Sequence, residues 1–179
     1  MSDAHSYCAS LTNAIDHFTD VTGRWISWLS IVMMIVVSLV VLLRYGLNIG
    51  SIALQEAANY LHASLFMLGA AYTLKQGQHV RVDIFYRRFS TLTRAWVDSV
   101  GAIVLLLPTM LFIAFASCSF VSESWAVREG SSDPGGLPFV YLLKSLIPAM
   151  AILLSVQALA EVLRNLERLM RSAKGDCDD

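Results

Sequence analysis

Long uncharged stretches alternate with short knots of charge along this chain. Trp25–Leu43 carries no formal charge between Arg24 and Arg44, and Ala57–Leu74 none between Glu56 and Lys75. Ser99–Ser122 lies clear between Asp98 and Glu123, and Ser145–Ala160 between Lys144 and Glu161. A helix rises about 1.5 Å per residue, so roughly 20 apolar residues cross a hydrocarbon core. The first three runs reach about that length. The fourth is shorter, and suffices if its helix starts near Pro138 while Lys144 stretches its amine to the interface. The pattern predicts an all-α membrane protein with four transmembrane helices, at about 25–43, 57–74, 99–122 and 138–160, in one membrane domain over 1–179.

Amphipathic stretches flank these runs. Phe85, Phe89, Leu92 and Trp96 recur at helical spacing, with Arg87, Arg88 and Arg94 off that stripe. This predicts an interfacial helix over about 81–96 whose three arginines meet lipid head groups. Leu11, Ile15 and Phe18 form a similar stripe leading to Trp25 and Trp28, residues suited to anchoring at the interface. Val162, Leu166 and Leu169 carry the fourth helix beyond the membrane, and REGSSDPGGLP reads as a turn-rich external loop.

Composition agrees. Charged residues are 15% of the chain and hydrophobic ones 56%, whereas a soluble domain carries about a quarter charged residues. The net charge of −1 averages over two faces and decides nothing; the placement of cations decides more. Of 13 lysines and arginines, only Arg44, Arg128 and Lys144 fall on one side of the predicted spans. The excess on the other side places both termini and the second connection in the cytoplasm. Residues 1–23 hold no Lys or Arg, so they do not read as a signal peptide, and the first span is expected to remain in the mature protein.

Polar residues inside spans are the usual seat of mechanism. Gln55, Asn59, His62, Phe66, Gly69 and Thr73 follow helical spacing along the second span. Lipid cannot satisfy such a face, so it reads as a packing seam against protein or as a substrate or ion pathway. No carboxylate sits deep in a span, which favours the seam. Haem would need a second histidine at the depth of His62. His5 and His17 precede the membrane and His79 lies at the opposite face, so His62 reads as a hydrogen-bonding member of the seam, with Gln157 a candidate partner. Pro108 should kink the third span.

No nucleophile–histidine–carboxylate set, phosphate loop or metal-type cluster emerges, and the chain does not read as an enzyme. Cys8, Cys118 and Cys177 lack ligand spacing and read as ordinary small residues. The basic segment near Arg81–Arg94 lies beside the membrane, where phospholipid is a better partner than nucleic acid.

Three stretches together resemble the small membrane subunit (DctQ type) of tripartite ATP-independent periplasmic (TRAP) transporters, over roughly residues 25–165. They are LLRYGLNIGSIALQEAANY, with Arg44 and Glu56; LGAAYTLKQGQHVRVDIFYRR, with His79, Arg81 and Asp83; and SWAVREGSSDPGGLPFVYLLKSLIPAMAILLSVQALA, with Gly136, Leu137, Pro138, Lys144 and Pro148. The family often has two acidic residues, or Trp then acidic residues, where this chain has Leu54-Gln55-Glu56.

The resemblance implies a secondary transporter of the inner membrane. In it a periplasmic binding protein captures an organic acid or related solute, and a large permease subunit moves it with sodium. The small subunit then packs beside the large subunit's scaffold and helps dock the binding protein. No cofactor is expected in this chain, since sodium coupling belongs to the large subunit. Glu56, Arg128, Glu129 and Lys144, at the predicted external face, are candidate contacts for the binding protein. Arg81 and Asp83 are candidates to fix the turn after the second span. Two other readings stay open: a self-contained homo-oligomeric transporter, which would need a coupling carboxylate, and the membrane anchor of a redox complex, which would need paired histidines.

Overall fold

The computed structural model describes residues 2–77 and 89–175, and these are helical with short connections. Helix α1, Ser2–Gly46, is 45 residues long, about 67 Å at the usual rise. The amphipathic N-terminal stretch and the first span are therefore one helix. No proline interrupts residues 2–46, so no residue there forbids its continuation. Beyond Gly46, the Ile49 amide donates to the Leu43 carbonyl (2.9 Å) and Asn48 takes a left-handed φ of 56°, which ends the helix. Ser51 then caps α2, Ile52–Lys75, by accepting from the Leu54 amide.

Ser90 caps α3, Thr91–Gly101, in the same way. A π-helical turn, Ala102–Leu106, joins α3 to α4, Leu107–Ala126. The Leu107 amide reaches back to the Ala102 carbonyl, a widened turn just ahead of Pro108. Proline has no amide hydrogen and its ring crowds the preceding turn, so widening is the cheap accommodation of the expected kink. The amphipathic residues Leu92 and Trp96 belong to a helix continuous with the third span, rather than to a separate interfacial one. Residues 81–88 of that predicted segment lie outside the described residues. The last helix, α5, Val140–Gly175, has Pro148 in its interior.

The last helix is the hub. It packs against α2, α3, α4 and α1, while α1 and α2 pack on each other. Most of the buried side chains on it are small: Ala151, Ser155, Ala158 and Ala160, with Leu154 and Gln157. Ala71, Ala95, Ser99, Ser117 and Ser124 bury from the other helices. Small residues let helix backbones approach, which is how helices associate where lipid removes the hydrophobic drive. One approach is close: a Cβ on Gly23 of α1 would sit 2.4 Å from the Tyr72 ring of α2.

Among the described residues, three helices are long and apolar enough to cross a membrane, within Thr12–Gly46, Thr91–Ala126 and Val140–Met170. Of the four helices expected to span, these three meet that measure, and the second, α2, is present as a helix of another character. α2 has 24 residues, enough length, but Gln55, Glu56, Asn59 and His62 dilute its apolar content.

Candidate functional site

The six polar and small residues singled out on α2 divide between two environments. Gln55, Gly69 and Thr73 are half-buried, while Asn59, His62 and Phe66 are exposed. Phe66 leaves 71% of its surface uncovered. From Ala53 to Lys75 these three are the only exposed positions, so one side of the helix is open and the rest is partly covered, with Ala71 buried. The Thr73 hydroxyl donates to the Gly69 carbonyl (3.0 Å). Among the described residues Asn59 and His62 have no hydrogen-bonding partner. The candidate pairing of His62 with Gln157 does not form: His62 points out of the bundle, and Gln157 is fully buried elsewhere.

Gln157 instead centres a polar cluster that joins three helices. Thr19 on α1 donates its hydroxyl to Gln157 Oε1 (2.8 Å), and Gln157 Nε2 donates to Asp16 Oδ1 (3.2 Å). Arg164 reaches the other Asp16 oxygen (2.7 Å) and Glu161 (3.1 Å). From α2, Lys75 Nζ donates to the Asp16 carbonyl (2.9 Å) and pairs with Asp20 (2.6 Å). Every formal charge named here has an opposite neighbour, which makes half-buried charge tolerable. The sequence carried a signal for this cluster. Asp16, Thr19 and Asp20 share one helix face, as do Gln157, Glu161 and Arg164.

At the opposite end, residues picked out by their sequence context meet in space. Glu56 accepts from the Ser131 hydroxyl and from the Leu137 amide (2.6 Å), so one carboxylate at the start of α2 clasps the loop before α5. A Cβ on Gly136 would lie 2.5 Å from Ser131 Cβ and 2.8 Å from Glu56 Oε1, so this clasp requires glycine there. Glu129 accepts from Lys144 and from the Ser124 hydroxyl (2.7 Å). Those two donors, Lys144 first, hold its carboxyl below the ordinary glutamate range. Lys144 also sits 4.0 Å over the Phe120 ring. Trp125 donates its indole hydrogen to Ser145 (2.8 Å) and meets Tyr141 edge-on, with ring centroids 4.8 Å apart.

Of the four charges assigned to an outer face, Glu56, Glu129 and Lys144 are thus engaged within the chain. Arg128 is exposed, with a left-handed φ of 46°. Arg44 borders a small recess with Ile49, Ser51 and Gln55. Pro138 stands just ahead of α5. Arg94 Nε donates to the Phe89 carbonyl (3.1 Å), so part of its guanidinium is used locally. His79, Arg81, Asp83, Arg87 and Arg88 lie outside the described residues.

Polar contacts thus tie α2 to the rest of the bundle at both ends, to Leu137 ahead of α5 at one and to Asp16 and Asp20 of α1 at the other, while one side of α2 stays open. Residues 33–168 match the family described as tripartite ATP-independent periplasmic transporters, DctQ component. The chain belongs to the DctQ family. Within that match lie the α2 stripe, the Glu56 clasp and the Gln157 and Arg164 half of the inner cluster. The chain is also 28% identical, over 123 residues, to a protein of Haemophilus influenzae provisionally named a TRAP transporter small permease protein; the match covers 69% of this chain and 76% of that one. No solved structure matches it. For a DctQ protein, a component of a transporter family, the clasps read as scaffold and the α2 stripe as the place to seek function.

Proposed function

We propose that this chain is the small membrane subunit of a TRAP secondary transporter, and that it binds the large permease subunit through the open side of α2. The observation that carries this reading is the exposure of Asn59, His62 and Phe66 on a helix whose other positions from Ala53 to Lys75 are covered in part or in full by the bundle. An amide and an imidazole without partners are costly against lipid tails, and a facing helix satisfies both. Phe66 supplies the apolar anchor between Asn59, His62 and the half-buried Gly69, where a helix backbone can come close.

In this reading α2 is a fourth span, screened from lipid on its polar side by the permease. The distribution of Lys and Arg puts both termini in the cytoplasm of the inner membrane. The clasped loop then faces the periplasm, where Arg128 is available to the substrate-binding protein. The permease carries the sodium coupling and the site for an organic acid or related solute.

The test is co-expression with a large TRAP permease subunit from the same organism and purification through a tag on this chain. Recovery of a one-to-one complex in detergent supports the reading. A stable homo-oligomer of this chain, with the permease intact but unbound, would overturn it.

A further inference from the structure

We infer that Arg24, Trp25 and Trp28 form a binding site for the phosphodiester head group of a membrane phospholipid. A cavity of about 240 Å³ opens on the outer side of α1, lined by Val21, Arg24, Trp25 and Trp28. Water occupies about 30 Å³ per molecule, so the space holds a group several times larger. Every polar side-chain atom in the lining is a donor: the guanidinium hydrogens and two indole N–H groups. None is donated to another described residue. A concavity made only of donors selects an anion.

Among the described residues, the carboxylates on the preceding turns of α1 are already committed. Asp20, one turn before Arg24, would be its natural partner on the same helix, but it pairs with Lys75 at 2.6 Å. Asp16 is held by Arg164 at 2.7 Å. Both are drawn toward α2 and α5, and Arg24 faces outward with no carboxylate paired to it among the described residues. It is also the last charge before the uncharged run Trp25–Leu43, at the depth where phosphates sit over hydrocarbon.

The indoles distinguish a lipid from a free anion. Trp25 and Trp28 are 74% and 64% exposed, and their rings extend apolar surface beside the cation. A glycerol backbone and acyl chain cover that surface; a soluble phosphate cannot. A head group without an ammonium is preferred, since Arg24 repels a second cation. The inference requires only that α1 cross a membrane, and it stands or falls separately from the permease contact.

Native mass spectrometry of the full-length chain, titrated in detergent with phosphatidylglycerol, phosphatidylethanolamine or inorganic phosphate, tests it. Arg24→Gln should lower phosphatidylglycerol retention roughly five-fold, the worth of one basic residue at an anionic surface. Trp25→Leu with Trp28→Leu should lower it less. Arg168→Gln, which removes an exposed cation near the same end, should change little. Phosphatidylethanolamine should bind more weakly, and phosphate should leave no adduct. Equal phosphatidylglycerol retention by Arg24→Gln and wild type would overturn the inference. So would a phosphate adduct that depends on Arg24, which would make this a site for soluble anions. If Arg24→Gln fails to fold, the paired tryptophan variant carries the same test.

Discussion

Helices α1 and α2 lie against each other, and each turns one side out of the bundle, but the two sides differ in kind. Along α1 the exposed residues include Ile31, Met34, Ile35 and Leu42, a surface that lipid tails solvate without cost. Along α2, past its first residue, they are Asn59, His62 and Phe66. Exposure alone therefore says little in a membrane chain. An open apolar side is finished, whereas an open polar side is waiting for protein. The inner side of α2 is finished too, closed by Gly23 against Tyr72 and by Lys75 on Asp20.

The largest expected effect breaks the comparison directly. His62→Leu with Phe66→Ala should cut recovery of the permease at least ten-fold, because anchoring residues at interfaces are worth about 2 kcal/mol or more each. Met34→Ala with Ile35→Ala should leave recovery unchanged. Equal loss from both pairs, measured by pull-down from detergent, would mean that α1 and α2 do not differ in role.

Smaller effects separate the closed side of α2 from the open one. Gly23→Ala drives a methyl into Tyr72 and should destabilise the chain by about 1–3 kcal/mol, seen as a lower thermal unfolding temperature in detergent. Beside the open side, at half-buried Gly69, a Cβ meets nothing within 4 Å. Gly69→Leu should therefore leave unfolding of the isolated chain unchanged while weakening the complex. Gln157→Leu should cost about 1–3 kcal/mol, since Thr19 and Asp16 each lose a hydrogen bond in a closed site.

The smallest effect concerns acid. Lys144 and Ser124 lower the Glu129 pKa from the ordinary 4.5. A group depressed in the folded state adds stability above its unfolded value and loses it as pH falls through the folded one. The Glu129 contact should thus persist from neutral pH down to about 4.5 and release only below it. Fluorescence of Trp125, with the other tryptophans replaced, reports the transition, and Lys144→Gln should move its midpoint upward.

The spans were legible in the sequence because charge is excluded from hydrocarbon, so charge-free runs mark them. The joining of the N-terminal stripe to the first span is permitted, but not dictated, by the absence of any proline between Ser2 and Gly46. The π turn was only half legible: Pro108 announced a disruption, but not whether it would be a kink or a widened turn. The stripe on α2 was read from spacing alone, whereas its division into half-buried and open positions depends on where α1 and α5 pack. The inner cluster was missed because its bonds between α1 and α5 join residues 138 to 148 positions apart. Gln157 was singled out, but tied to a histidine on the far side of α2. The Glu56 clasp shows the reverse: the residues were picked out separately, and only folding brings the carboxylate to the Leu137 amide.

The most direct test of the open α2 side is photo-crosslinking in native membranes, with a photoreactive residue in place of Phe66 or, on α1, of Met34. The account predicts an adduct with the permease from position 66 and lipid adducts alone from position 34. Lipid adducts alone from both positions, in membranes that hold the assembled transporter, would contradict it.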